Sequence, residues 1–308
     1  PDWSRGLGDV YKRQFPYKAG TNGGGAFVLI YLFCILIIGL PIMMAEIMIG
    51  RSSQKSPVNA MRLSAEKSNQ SPSWRFVGWG GLISGLLILS FYSVLAGICL
   101  DYIFISGTDS GGMSTTEKFA SQTASVSKLL FWHTAFILMN IIIIGAGVVS
   151  GIERIVRLLM PMLFVLMIVM VVNSIINGDF ARGLSFLFAP NFSDVTPATF
   201  LSAMGQAFFS LSLGMGSIMC YGAYMPKDEN VFNTSLTVCG LDTLIAIMAG
   251  LAIFPIIFAY GLEPDAGPSL VFISLLSVFW DMPFGNFIGP VFFILLSCLL
   301  YTSPSPRD

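Results

Sequence analysis

Between about Phe200 and Tyr224 the chain has an apolar run long enough to cross a bilayer. It is interrupted near its midpoint by Phe209-Ser-Leu-Ser-Leu-Gly-Met-Gly-Ser217. Two glycines two residues apart and the hydroxyls of Ser210 and Ser212 stand where an unbroken span would carry large apolar side chains. In lipid an unsatisfied backbone N–H or C=O costs several kcal/mol, so non-helical backbone persists only where protein or a cavity satisfies it. A break at this depth is the mark of a binding site in carriers built from discontinuous helices. The same small residues also suit close helix packing, and this segment by itself leaves both readings open.

Bulk composition sets the class. Of 308 residues 55% are hydrophobic and 11% charged, against about 25% charged in soluble domains. The chain therefore reads as an all-α polytopic membrane protein. A net charge of −1 gives no reason to expect nucleic acid as a partner. Cys34, Cys99, Cys220, Cys239 and Cys298 all lie in or beside apolar runs, without metal-ligand spacing, and read as small buried hydrophobes. The single histidine, His133, reads as a helix-end or packing residue. No metal cluster, nucleophile elbow or phosphate loop supports an enzyme.

A span takes about 20 apolar residues. By that measure the sequence predicts spans at Ala26–Gly50, Val77–Ile105, Leu129–Val149, Ile152–Ile176, Phe200–Tyr224, Val231–Tyr260 and Phe284–Leu300, with a half-span at Phe15–Thr21. The connectors are a basic stretch Arg51–Arg75, a Gly/Ser/Thr-rich Ser106–Ser127, a tight joint at Ser150–Gly151, an aromatic loop Asn177–Pro197, and Gly261–Pro283, where short helices are expected. Arg51, Lys55, Arg62, Lys67, Arg75, Arg154, Arg157 and Lys227 fall on one side, Lys118, Lys128 and Arg182 on the other. The positive-inside bias places the first set, and the loop 51–75, in the cytoplasm of a cell (inner or plasma) membrane. Residues 1–14 and 301–308 are polar segments joined abruptly to apolar ones and are expected to be non-native leader and tail, leaving 15–300 as a core fragment.

Glu46 and Asp242 lie inside spans, where ionisable groups are costly and serve function. Glu46 either binds a cation or proton, or satisfies free amides of a broken neighbouring helix. Asp242 needs a cation, a proton or a hydrogen-bond partner. Sodium, a hard cation, prefers oxygen ligands, and Asp242, Ser210 and carbonyls near Phe209 would supply them. Tyr92, mid-span, can donate to a carboxylate, although Tyr92, Tyr31, Tyr221 and Tyr224 also suit plain packing.

Several motifs then occur in order. Phe15-Pro-Tyr-Lys-Ala-Gly-Thr-Asn-Gly-Gly-Gly-Ala-Phe27 resembles the outer half of the first helix, and the turn after it, of the neurotransmitter:sodium symporter family. Gly39-Leu-Pro-Ile-Met-Met-Ala-Glu-Ile-Met-Ile-Gly-Arg51 resembles its second helix, and Gly151-Ile-Glu-Arg154 the link before its fifth. Gly205-Gln-Ala-Phe-Phe-Ser-Leu-Ser-Leu-Gly-Met-Gly216 resembles its unwound sixth helix. Leu241-Asp-Thr-Leu with Ala249-Gly-Leu-Ala-Ile-Phe-Pro255 resembles the seventh helix of bacterial members.

The resemblance implies a ten-helix core of two inverted five-helix repeats and sodium-driven symport of an amino acid. By match, Tyr92 would bind the substrate carboxylate. The backbone around Phe209–Ser212 would meet its amine and side chain, with Phe209 as lid and Met215 and Ile88 lining the pocket. Ser210 would ligate sodium with Asp242 at or beside it, Glu46 would buttress the break, and Tyr224 would belong to the cytoplasmic gate. Tyr31, Gln206 and Ser210 match three of four chloride-binding positions, but the fourth falls near Ala246. The nearby Asp242 charge implies that chloride is not required. The expected cargo is a neutral, hydrophobic amino acid, a carrier independent of sodium or a membrane sensor being the alternatives; a homo-oligomer stays open. Gln14 stands where the family has its outer-gate arginine, and the inner half of helix 1 and the end of helix 8 are not in the sequence. The chain alone is therefore not expected to transport.

Overall fold

The computed structural model describes residues 19, 24–108, 113–145, 149–226, 228–259, 261, 269–281 and 284–302, and the side chains of these except 143–160, 194, 269–271, 274 and 298–302. The half-span Phe15–Thr21 (save Ala19), Gln14, the leader, Lys227 and most of the tail lie outside the described residues. The described residues are all-α apart from short turns and one isolated bridge, Gly24 to Pro190.

Among the described residues thirteen α-helices follow in order: α1 Gly25–Cys34, α2 Leu40–Ser53, α3 Pro57–Lys67, α4 Arg75–Ser106, α5 Thr115–Ala124, α6 Val126–Gly145, α7 Val149–Asn177, α8 Phe180–Phe188, α9 Pro197–Ser210, α10 Ser217–Tyr224, α11 Val231–Ala259, α12 Ser269–Asp281 and α13 Gly285–Thr302. Gly25–Ser53, Pro72–Ser106 and Val231–Ala259 are each long and apolar enough to cross a membrane. Two further spans result if the bent pairs Thr115–Ala124 with Val126–Ile142 (82°) and Pro161–Asn177 with Phe180–Phe188 (117°) each count as one. The expected joint Ser150–Gly151 instead lies in the first turn of α7. Glycine and serine are weak helix formers but do not stop a helix that apolar packing favours.

The chain divides into two compact units, Ser90–Leu187 with Met248–Ser303 and Asn22–Leu89 with Phe188–Ile247. In the first, the aromatic unit, Tyr102 is fully buried with Phe272 at 5.0 Å and Phe293 at 5.2 Å between ring centroids. The end of α4 runs antiparallel to α13: Gly107 faces Pro290, Ser106 faces Gly289, and Tyr102 meets Phe293. Pro255 sits inside α11 and, lacking an N–H, leaves the Leu251 carbonyl without its helical donor. The Ser174 hydroxyl donates to that oxygen at 3.0 Å, and the Asp179 amide donates to the Pro255 carbonyl at 2.9 Å. The sharp turn from α7 into α8 is thereby tied to the carbonyls around Pro255 in α11. Asp101 is buried near the end of α4 and pairs with Lys128 at 3.3 Å.

In the second, the broken-helix unit, α1 and α2 form one span through a π-turn at Ile35–Gly39. Pro41 follows at the start of α2, and the wider turn relieves the clash of its ring with the preceding carbonyls. Beside α2 runs α10. A Cβ on Gly222 would lie 2.5 Å from the Ile47 carbonyl oxygen, and one on Gly50 would run into the Met219 carbonyl. Paired glycines let these helices meet backbone to backbone, the close approach that membrane helices use for association.

Candidate functional site

Residues 211–216 separate α9 from α10, and three of them take positive φ: Ser212 at 55°, Gly214 at 79° and Gly216 at 78°. Glycine adopts this region without penalty, so Gly214 and Gly216 explain where the helix unwinds. Ser212 is the strained position, of the kind that clusters at functional sites. The opened backbone is largely satisfied locally. Leu213 N–H donates to Phe208 O at 2.9 Å, Ser212 N–H to Phe209 O at 3.2 Å, and the Ser217 hydroxyl to Ser212 O at 3.3 Å.

Gly214 N–H has a different acceptor, Glu46 Oε1 at 2.7 Å. Glu46 is buried at 6% exposure, and its Oε2 has no hydrogen-bond partner among the described residues. Proximity in the fold therefore joins a membrane carboxylate on α2 to the unwound segment. Removing an acceptor so that its donor is left unsatisfied costs about 1–3 kcal/mol. Glu46→Ala is thus expected to lower the thermal midpoint in detergent by about 5 °C, whereas Glu46→Gln, which keeps one acceptor oxygen, loses much less. Equal melting of both variants with the parent would remove Glu46 from the support of the break.

One turn earlier lies an oxygen cluster. The fully buried Tyr31 hydroxyl donates to Ser210 Oγ at 3.2 Å, and Ser210 Oγ in turn donates in a short contact to Asp242 Oδ2. A serine hydroxyl carries one donor and two acceptor lone pairs. With its proton on Asp242 and one lone pair facing Tyr31, Ser210 keeps a lone pair for a further ligand. Gln206, one helical turn before Ser210, is buried at 4% with its Oε1 unpartnered among the described residues. Carboxylate and hydroxyl oxygens on three helices form a donor set that suits a hard cation. Among the described residues no group of three or more His, Cys, Asp or Glu forms a transition-metal site. Cys239, one turn before Asp242, is a buried free thiol 3.9 Å from Met43 Sδ.

The other residues singled out by sequence are placed as follows. Phe209 and Met215 are half-buried, on either side of the turn. Gly81 on α4 abuts that turn: a Cβ there would lie 3.0 Å from Gly214 O and 3.1 Å from Met215 C. Ile88, seven residues on and hence on the same face of α4, is half-buried. Tyr92 continues that helix within the aromatic unit, also half-buried. Tyr224, at the end of α10, is 75% exposed. Gly81, Gly50, Gly222 and Pro57, which lies 2.9 Å from where a Gly216 Cβ would be, have no local signature in the sequence. Glycine recurs throughout this chain and only its neighbours show which ones are crowded.

The chain is 37% identical to an uncharacterized sodium-dependent transporter, YhdH, of Bacillus subtilis, covering 96% of this chain and 65% of the relative. It is 36% identical to an uncharacterized sodium-dependent transporter of Haemophilus influenzae, covering 94% and 66%. The chain thus spans about 65% of the length of the curated relatives it matches. These relatives are transporters, not enzymes. A crystal structure of MhsT in complex with L-phenylalanine superimposes with a TM-score of 0.88 at 41% identity, over 95% of this chain and 66% of that one, which shows the fold expected from sequence. The family model described as the sodium:neurotransmitter symporter family matches residues 3–124 and 113–304, and the chain belongs to that family.

Proposed function

We propose that this chain is the larger part of a sodium-coupled symporter for neutral, hydrophobic amino acids, working by alternating access in the cell membrane. The observation that carries the reading is the Tyr31–Ser210–Asp242 oxygen cluster at the end of α9, one residue from a helix break that a buried carboxylate holds open. In this reading sodium is cargo, held by Ser210 and Asp242, with Tyr31 fixing the serine and Gln206 supporting the site one turn earlier on α9. The backbone from Phe209 to Ser212 meets the substrate amine, Phe209 closes over it, and Met215 and Ile88 line the side-chain pocket. Tyr92 donates to the substrate carboxylate, and Tyr224 belongs to the inner gate. The flexible thioether of Met215 accommodates apolar side chains of different shapes. The phenylalanine held by MhsT supports a large apolar substrate.

Coupling follows from shared structure. Sodium at Ser210 neutralises Asp242 and stiffens the α9 end that also presents the substrate-binding backbone. Sodium and substrate therefore raise each other's affinity by the same factor. Because Asp242 supplies the fixed negative charge, no bound anion is needed to balance sodium.

The test is equilibrium binding of radiolabelled leucine and phenylalanine to the purified full-length protein in sodium or potassium, as chloride or gluconate. Saturable binding in sodium with either anion is the expected result. Binding that ignores the cation points to a carrier independent of sodium. A large loss in gluconate overturns chloride independence. Binding of neither amino acid removes the substrate class.

A further inference from the structure

The segment 51–75 carries five basic residues against one acid, Glu66. Lys55, Arg62, Lys67 and Arg75 are exposed, while the apolar face of α3, with Pro57, Ala60 and Ala65, is buried. The cations are held at the root of the membrane helices. Lys67 Nζ donates to the Ser52 carbonyl at the end of α2 at 3.4 Å, and Arg75 opens α4 with its guanidinium 5.2 Å from the Phe76 ring centre. The Arg62–Glu66 pair, at 3.8 Å and nearly half exposed on both sides, neutralises little. Asp228 and Glu229 are exposed, and Arg51 donates to the backbone carbonyl of Glu229 at 2.8 Å. Around this basic rim Trp74, Phe76 and Trp79 are all at least half exposed where the apolar α4 begins. Tryptophans at that level belong in the headgroup region. Basic residues beside a membrane helix, flanked by such anchors, match the charge of anionic lipid surfaces.

We propose that Lys55, Arg62, Lys67 and Arg75, with Trp74 and Trp79, form a binding surface for anionic phospholipid headgroups of the cytoplasmic leaflet. The surface has a direct mechanical connection. Its inner side seats Pro57 against Gly216, and Val58 against Gly78, where a Cβ would lie 2.6 Å from the Val58 Cα. A lipid phosphate bridging α3 and the start of α4 therefore holds α3 beneath the unwound segment.

The experiment uses the full chain in nanodiscs containing dibrominated phosphatidylcholine or dibrominated phosphatidylglycerol. Bromine quenches nearby tryptophan, and the signal of Trp74 and Trp79 is obtained by subtracting that of a W74F/W79F variant. The ratio of the two quenching curves gives the relative association of anionic over zwitterionic lipid. A ratio of about fivefold or more is expected, falling towards one in K55Q/R62Q/K67Q, whose side chains are exposed and whose loss leaves the fold intact. High salt is expected to have the same effect. A ratio near one for the parent overturns the proposal, as does a ratio that the triple variant leaves unchanged. Loss of the preference on adding millimolar inorganic phosphate would assign the surface to free phosphate instead. Both disc faces are open, so the outcome is independent of transport and of the sodium site.

Discussion

Gly50→Ala is expected to cost about 3 kcal/mol or more, at or above the top of the usual range for overpacking. The added methyl would run into the Met219 carbonyl oxygen, with Met219 C at 2.8 Å and the Ala223 amide nitrogen at 3.0 Å. All three are backbone atoms of α10, so no side-chain rotation relieves the clash and the two helices must separate. Glu46 precedes Gly50 by four residues on the same face of α2, so separation also draws its carboxylate away from Gly214 N–H. Loss of packing and loss of the supported break come together. The variant is therefore expected to yield little monodisperse protein and no substrate binding. Gly85→Ala provides the control, since a Cβ there meets nothing within 4 Å. Alanine in a helix interior is favoured over glycine by roughly 0.5–1 kcal/mol, so this variant should melt at or above the parent. The measurement is size-exclusion yield and thermal midpoint for both variants. Equal behaviour would mean that α2 and α10 do not pack as closely as described.

The contrast between these glycines shows where sequence reasoning reaches its limit. Gly214 and Gly216 are legible because they interrupt an apolar run of membrane length, and lipid tolerates such an interruption only with internal satisfaction. Glu46 is legible for the same reason, since a carboxylate in a span demands a partner. The partner, Gly214 N–H, follows only once the fold brings α2 beside the break. Gly50 and Gly222 sit in intact helices and have no local signature, because their crowding comes from residues about 170 positions away. Pro255 announces a kink, but nothing local says that Ser174 and Asp179 will take up its freed carbonyl and its own. The bends of 82° and 117° fall within the connectors Ser106–Ser127 and Asn177–Pro197, but nothing local sets their angles. Asp101 stands four residues from the end of its predicted span, as Glu46 does from the end of its own, but its partner Lys128 follows only from a contact across helices.

Asp242→Asn gives the most direct reading of the proposed coupling. Asparagine is nearly isosteric and keeps a side-chain carbonyl to accept from the Ser210 hydroxyl, so the α9–α11 contact survives and stability should change little. What disappears is the negative charge. Two unit charges 4 Å apart attract by about 4 kcal/mol at an effective dielectric of 20, and part of that is offset because desolvation of the carboxylate is no longer incurred. A net loss of about 2 kcal/mol corresponds to a rise of about 30-fold in the sodium concentration needed for half-maximal substrate binding. Linkage then requires substrate affinity at fixed, subsaturating sodium to fall as well, while at saturating sodium it recovers to the extent that the variant still binds the ion. A variant that only disturbed packing would behave differently: its thermal midpoint would drop and its substrate affinity would fall by the same factor at every sodium concentration. Sodium titrations of phenylalanine binding at several fixed substrate concentrations, beside a melting curve, separate the two. An unchanged sodium midpoint with an unchanged melt would leave Asp242 as a hydrogen-bond acceptor for Ser210 and move the cation elsewhere.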